Sequence, residues 1–242
     1  MNDGISAAGE AAQETARPLP DCVEVETGGD VDFSVIWLHG LGADGHDFEP
    51  IVPMLGMDRV GPSRFVFPHA PRRPVTINGG MVMRAWYDIR GVDVGRDQDR
   101  QGILASAEMV EALIEREITR GIEPGRIVLA GFSQGGAIAA YTGIRHAQAL
   151  GGLMLLSCYP LFEDRVAAEF RAVQKKTPVF AGHGRLDPMV PVAMGRRLAQ
   201  MLQSQGMPVE WHEYDIPHSV APEEIADISA WLVSCLGGDG GR

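Results

Sequence analysis

Short, nearly continuous apolar runs alternate along this chain with longer stretches in which apolar positions return every three or four residues. The short runs are strands, predicted at 22–26, 34–38, 64–67, 127–130, 152–156, 178–183 and 209–214. Helical periodicity is clearest over 99–120, where Ile103, Ala107, Val110, Leu113, Ile114 and Ile118 share one face. Further helices are predicted at 135–146, 190–205 and 222–236. The last opens with Pro222 and carries Glu223 and Glu224 in its first turn, where proline is tolerated and acidic groups suit the helix dipole.

Strands covered on both faces and separated by helices imply an α/β fold with a mostly parallel sheet and helices on both sides. Ligands in such sheets sit beyond the carboxyl ends of the strands. Residues 68–95 break the pattern: they are rich in Pro, Gly and Arg, lack a sustained period, and read as an excursion over that edge. No linker divides the chain, so residues 22–236 are expected to form one domain. Residues 1–21 and 237–242 are expected to be a disordered and a flexible tail.

Charge narrows the class of partner. A net charge of -11 disfavours sequence-independent binding of nucleic acid or anionic lipid, both of which need basic patches. Three cysteines, Cys22, Cys158 and Cys235, are too few for a disulfide framework and fit a reducing compartment, here the cytoplasm. The first residues lack a basic start and an apolar core, unlike a secretory signal. No apolar run has the length of a membrane span, and no integral membrane association is expected.

The chemistry begins at Gly131-Phe132-Ser133-Gln134-Gly135, between a predicted buried strand and a small-residue helix. A serine in that turn is a nucleophile elbow, whose neighbours must be small for strand and helix to approach. Two more signals follow strand ends: Asp187 in Gly182-His183-Gly184-Arg185-Leu186-Asp187, and His218 in Asp215-Ile216-Pro217-His218. The order Ser133, Asp187, His218 is that of α/β-hydrolase triads. In it His218 takes the serine proton while Asp187 fixes the imidazole. Each residue also has a plain use: Asp187 before Pro188 starts turns, His218 can precede a helix, and Asp215 is a rival acid. A glycine-rich turn, Gly40-Leu41-Gly42-Ala43-Asp44-Gly45, follows the 34–38 strand, where one oxyanion-hole amide is expected; the other belongs to Gln134.

Gly40, Gly42 and Gly45 also satisfy a dinucleotide-binding pattern. The next strand, however, ends in Pro68-His69 instead of the acid that would hold a ribose. His39, His46, His183 and His212 lack metal-motif spacing, there is no phosphate loop, and no metal or cofactor is expected.

With these motifs, and with Met83-Arg84-Ala85-Trp86-Tyr87-Asp88-Ile89, the chain from 34 to 236 resembles the carboxylesterase and acyl-protein thioesterase (lysophospholipase-like) family of α/β-hydrolases, its bacterial carboxylesterase branch most. The resemblance implies a Ser133, Asp187, His218 triad with the Leu41 and Gln134 amides as oxyanion hole. It also implies a small-molecule ester, acyl thioester or lysophospholipid as substrate, and is compatible with a homodimer. A catalytically silent relative that only binds partners is the alternative. In the excursion Val75, Ile77, Met81, Val82, Met83 and Trp86 are apolar without period; most are expected to pack it down. Met83, Trp86 and Met189, which closely follows Asp187, are assigned to an acyl slot, since methionines suit irregular apolar pockets.

Overall fold

A computed structural model describes residues 19–91 and 97–237. The expected tails therefore lie outside the described residues, apart from their inner ends. In chain order the elements begin with β1 (Cys22–Glu26), β2 (Phe33–Leu38) and β3 (Ser63–Pro68), then a hairpin of β4 (Arg72–Val75) and β5 (Met81–Arg84). Next come α1 (Arg100–Thr119), β6 (Ile127–Phe132), α2 (Gln134–Gly143), β7 (Gly152–Leu156) and α3 (Glu163–Glu169). The chain closes with β8 (Val179–Gly184), α4 (Val192–Ser204), β9 (Val209–Tyr214) and α5 (Pro222–Leu236).

Seven strands form one sheet in the order β1-β3-β2-β6-β7-β8-β9, with β1 antiparallel to β3 and every other pair parallel. Alternate side chains of each strand feed two cores. Ile36, Leu38, Leu129 and Leu153 pack with α1, α2 and α4 on one face. Val35, Trp37, Val128 and Phe180 pack with α5 and with residues 48–57 on the other. The two-sided α/β architecture expected from the alternation is the one observed. On the first face Glu117 of α1, fully buried, accepts from Ser34 Oγ at 3.1 Å and Arg64 Nη1 at 2.9 Å, which ties that helix to β2 and β3.

Every predicted strand is present with ends shifted by no more than a few residues. Helix α4 starts at Val192, later than predicted, because Asp187 Oδ1 takes the Val190 amide at 2.8 Å and so holds that residue outside the helix. Helix α3 and the hairpin strands β4 and β5 went unpredicted, as did several short 3-10 segments. Helix α3 buries only Val166, too little for a visible stripe. Hairpin β4–β5 turns through Gly79 and Gly80, both at positive φ, and its strands are largely exposed, so no alternation marks them.

Candidate active site

Strand β6 runs directly into Ser133, which sits at φ 53° and ψ -120°, and α2 starts at the following residue. A non-glycine residue is uncommon at positive φ and is held there only by its surroundings. Those surroundings are backbone. A Cβ on Gly131 would lie 2.5 Å from the Gly135 carbonyl, and one on Gly135 would lie 2.4 Å from the Leu38 oxygen. Glycine at both places lets β6, α2 and the end of β2 touch without side chains between them. The Ser133 amide donates to Leu156 O at 2.8 Å, which fastens the turn to β7.

Asp187 and His218 meet beside this elbow. Asp187, in the loop after β8, is buried; its Oδ1 accepts the Met189 and Val190 amides, each at 2.8 Å. Its Oδ2 accepts from His218 Nδ1 at 2.5 Å. A proton on Nδ1 leaves Nε2 as the ring's acceptor, the form a general base requires. The His218 ring packs on Phe132, the residue before the serine, with centroids 4.7 Å apart. Among the described residues no hydrogen bond joins Ser133 Oγ to His218, a bond that in unliganded sites often tightens only with substrate. Asp215, the rival acid, points elsewhere: its side chain is 82% exposed and pairs with Arg185 at 2.7 Å.

The turn after β2 forms the facing wall. A Cβ on Gly40 would be 3.6 Å from Ser133 Cβ, which brings Gly40 alongside the serine. His39 braces the turn, donating from Nδ1 to Gly40 O at 2.7 Å and accepting the Ala70 amide on Nε2 at 3.1 Å. Burial pushes its pKa down to about 4 and keeps the ring neutral. Across the serine, Gln134 opens α2, so its amide lacks a partner within the helix and lies at the positive end of the dipole. The glycine pattern serves packing and not a dinucleotide. A Cβ on Gly45 would be 2.4 Å from Phe67 O, and a 3-10 turn, Glu49–Met54, follows where the fingerprint needs a helix.

Residues 21–236 match the family described as Phospholipase/Carboxylesterase. The chain belongs to this family. Acyl-protein thioesterase 1 of Gibberella zeae is 39% identical over 211 residues, covering 82% of this chain and 88% of that protein. Carboxylesterase SOBER1 of Arabidopsis thaliana is 33% identical over 207 residues, covering 84% and 91%. The crystal structure of SOBER1 superimposes with a TM-score of 0.79, covering 85% of this chain and all of that one. This phospholipase/carboxylesterase-family member is an α/β-hydrolase acting on esters or thioesters. Among its described residues no helix is long and apolar enough to cross a membrane.

The three residues assigned to an acyl slot in this hydrolase have different surroundings. Trp86 is fully buried, with Nε1 donating to His39 O at 2.9 Å, so it stands behind the site and not in a slot; an indole N–H needs such a partner when buried. Met83 is half-buried, its sulfur 3.7 Å from where a Cβ on Gly42 would stand. Met189 is 68% exposed, as is its neighbour Leu186 to a similar degree, and Met81 and Val82 on the hairpin are exposed as well. Sequence reasoning missed the side chain of Gln134, whose two ends both bond to the excursion. It also missed His183, buried beside Asp187 with Nε2 donating to Val190 O at 2.8 Å. Its position at a strand end was visible, its partner was not.

Proposed function

We propose that this enzyme cleaves acyl esters and thioesters through an acyl-enzyme on Ser133. His218 Nε2 takes the hydroxyl proton as Oγ attacks the acyl carbon, and Asp187 holds the tautomer and stabilises the imidazolium. The carbonyl oxygen, now negative, is received by the Leu41 and Gln134 amides. Collapse breaks the bond to the alkoxide or thiolate, which leaves with the proton from His218. Water then attacks the acyl-enzyme by the same route and frees the acid.

The observation that carries this reading is the 2.5 Å bond from His218 Nδ1 to Asp187 Oδ2, made by an imidazole packed on the residue preceding the elbow serine. The setting of Asp187 supports it, since two backbone amides hold one carboxylate oxygen and so aim the other at the imidazole. Small-molecule acyl esters, acyl thioesters and lysophospholipids are the substrate class we propose; the relatives' names speak of acyl-protein thioesters and of carboxylic esters.

Ser133→Ala and His218→Ala are expected to fold and to lose about five to six orders of magnitude in kcat, because triad members act as a unit. A fluorophosphonate should label wild type at Ser133 alone, read by mass spectrometry of the tagged peptide. Substantial turnover by pure Ser133→Ala protein would overturn the mechanism; labelling without turnover on any ester or thioester would favour a silent binding protein.

A further inference from the structure

In the mechanism above Gln134 contributes its backbone amide, yet its side chain is just as firmly committed. The carboxamide is buried and spends both ends on one stretch of chain: Oε1 accepts the Trp86 amide at 2.8 Å, and Nε2 donates to Tyr87 O at 2.9 Å. That stretch grips the opposite wall in turn. Trp86 Nε1 donates to His39 O at 2.9 Å, and the Gly42 amide donates to Arg84 O at 2.9 Å. The two bonds bracket Leu41 from either side. A third side, α1, is tied in through Ser106 Oγ, which donates to Trp86 O. Residues 84–87 are thus hydrogen-bonded both to the Gln134 side chain and to the turn on either side of Leu41.

We propose that the Gln134 carboxamide is a positioning residue for the oxyanion site, and that residues 84–87, gripped by it, are the spacer that sets the separation of the Leu41 and Gln134 amides. The inference rests on reading those amides as the oxyanion hole. Its physical ground is the narrow tolerance of such sites. Donors act at roughly 2.7–3.1 Å from the developing charge, and a misplacement of about 1 Å costs on the order of 100-fold in rate. Leu41 and Gln134 belong to separate segments, one following β2 and one opening α2. Hydrogen bonds from one short stretch tie the two segments to each other, beyond the His39 bonds that brace the turn and the Ser133 bond to β7 that fastens the elbow.

Gln134→Met keeps the length and volume of the side chain and removes both of its bonds. Trp86→Phe removes only the bond to His39 and serves as an independent second handle. Each variant is titrated to completion with a fluorophosphonate, so that turnover is expressed per competent site and incomplete folding drops out. Turnover per site is expected to fall about 10- to 100-fold in Gln134→Met and less in Trp86→Phe, with KM changed by no more than about 2-fold. Inhibition by an alkyl trifluoromethyl ketone, whose adduct with the serine carries an oxyanion, should weaken by the same factor as kcat/KM. If both variants melt earlier but keep per-site turnover and ketone inhibition within about 2-fold of wild type, the carboxamide only packs the excursion and the proposal is wrong. Ser133→Ala run alongside separates the two levels. An active Ser133→Ala protein defeats the mechanism itself, whereas an inactive one beside an unimpaired Gln134→Met defeats only the brace.

Discussion

Asp187 and Asp215 both precede or neighbour His218 on plausible loops, and only their surroundings tell them apart. Asp187 has one oxygen on two backbone amides and the other on the imidazole, and its carboxylate is buried. Asp215 lies in solvent with Arg185. Asp187→Asn should turn an N–H toward His218 Nδ1, impose the wrong tautomer and lower kcat by on the order of 10^4, as the same change does in a serine protease. Asp215→Asn should alter it hardly at all, since its exposed ion pair with Arg185, made away from the imidazole, contributes little. Steady-state kinetics on both variants decide the matter; a reversed pair of effects would move the acid to Asp215. At this scale the gathering of Ser133, Asp187 and His218 at one sheet edge was legible because each follows a strand, and in a parallel sheet strand ends share an edge. Trp86 was misread. Its apolar ring without periodicity looked like pocket lining, while the buried partner of its indole N–H belongs to a residue far away in sequence, which no local pattern encodes.

Elements were legible to the extent that they bury a face. Strands β6, β7 and β8 are buried almost throughout and stand out as apolar runs. Hairpin β4–β5 buries little more than Val75, so burial left no imprint on its residues. Its exposed Ile77, Met81 and Val82 need another explanation. Its base borders the serine's facing wall through Gly42 and Arg84, while Leu186 and Met189 rise from the acid loop. An aliphatic acyl group lying among these side chains should gain about 0.8 kcal/mol per buried methylene, so kcat/KM should climb several-fold per carbon and then level off. Shortening the turn at Asn78, Gly79 and Gly80 should flatten that climb and leave acetyl esters nearly untouched. The measurement is a chain-length series on both proteins, and an unchanged slope after shortening would put the acyl group elsewhere.

At the scale of the whole molecule two buried groups with displaced pKa values shape stability in opposite senses. Glu224, in the first turn of α5, has both carboxyl oxygens buried, with no well-formed hydrogen bond among the described residues, and lies against Gly182, where a Cβ would be 2.3 Å away. Burial pushes its pKa from 4.5 up to about 8, opposed by the nearby Ala221 amide and aided by Asp227. A raised carboxyl pKa means the folded state binds the proton more tightly. The stability it contributes is present below about pH 4.5 and drains away as pH rises toward 8, by on the order of a few kcal/mol. His39, lowered from 6.5 to about 4, works in reverse: the unfolded chain takes the proton first, so stability is lost as pH falls through that window. Glu224→Gln should therefore lose less stability than wild type between about pH 5 and about pH 9, read from urea midpoints, and parallel losses would refute the assignment. Such a coupling was invisible in the sequence, where Glu224 is one of two acids suited to a helix start. A different kind of coupling follows from the elbow. Ser133 holds its positive φ only while β6, α2 and the end of β2 stay pressed together, because a relaxed chain would return to negative φ. Its reactive geometry is then a property of the assembled domain and not of a local segment, and a covalent tag on that one oxygen counts, molecule by molecule, the chains that were folded when the reagent arrived.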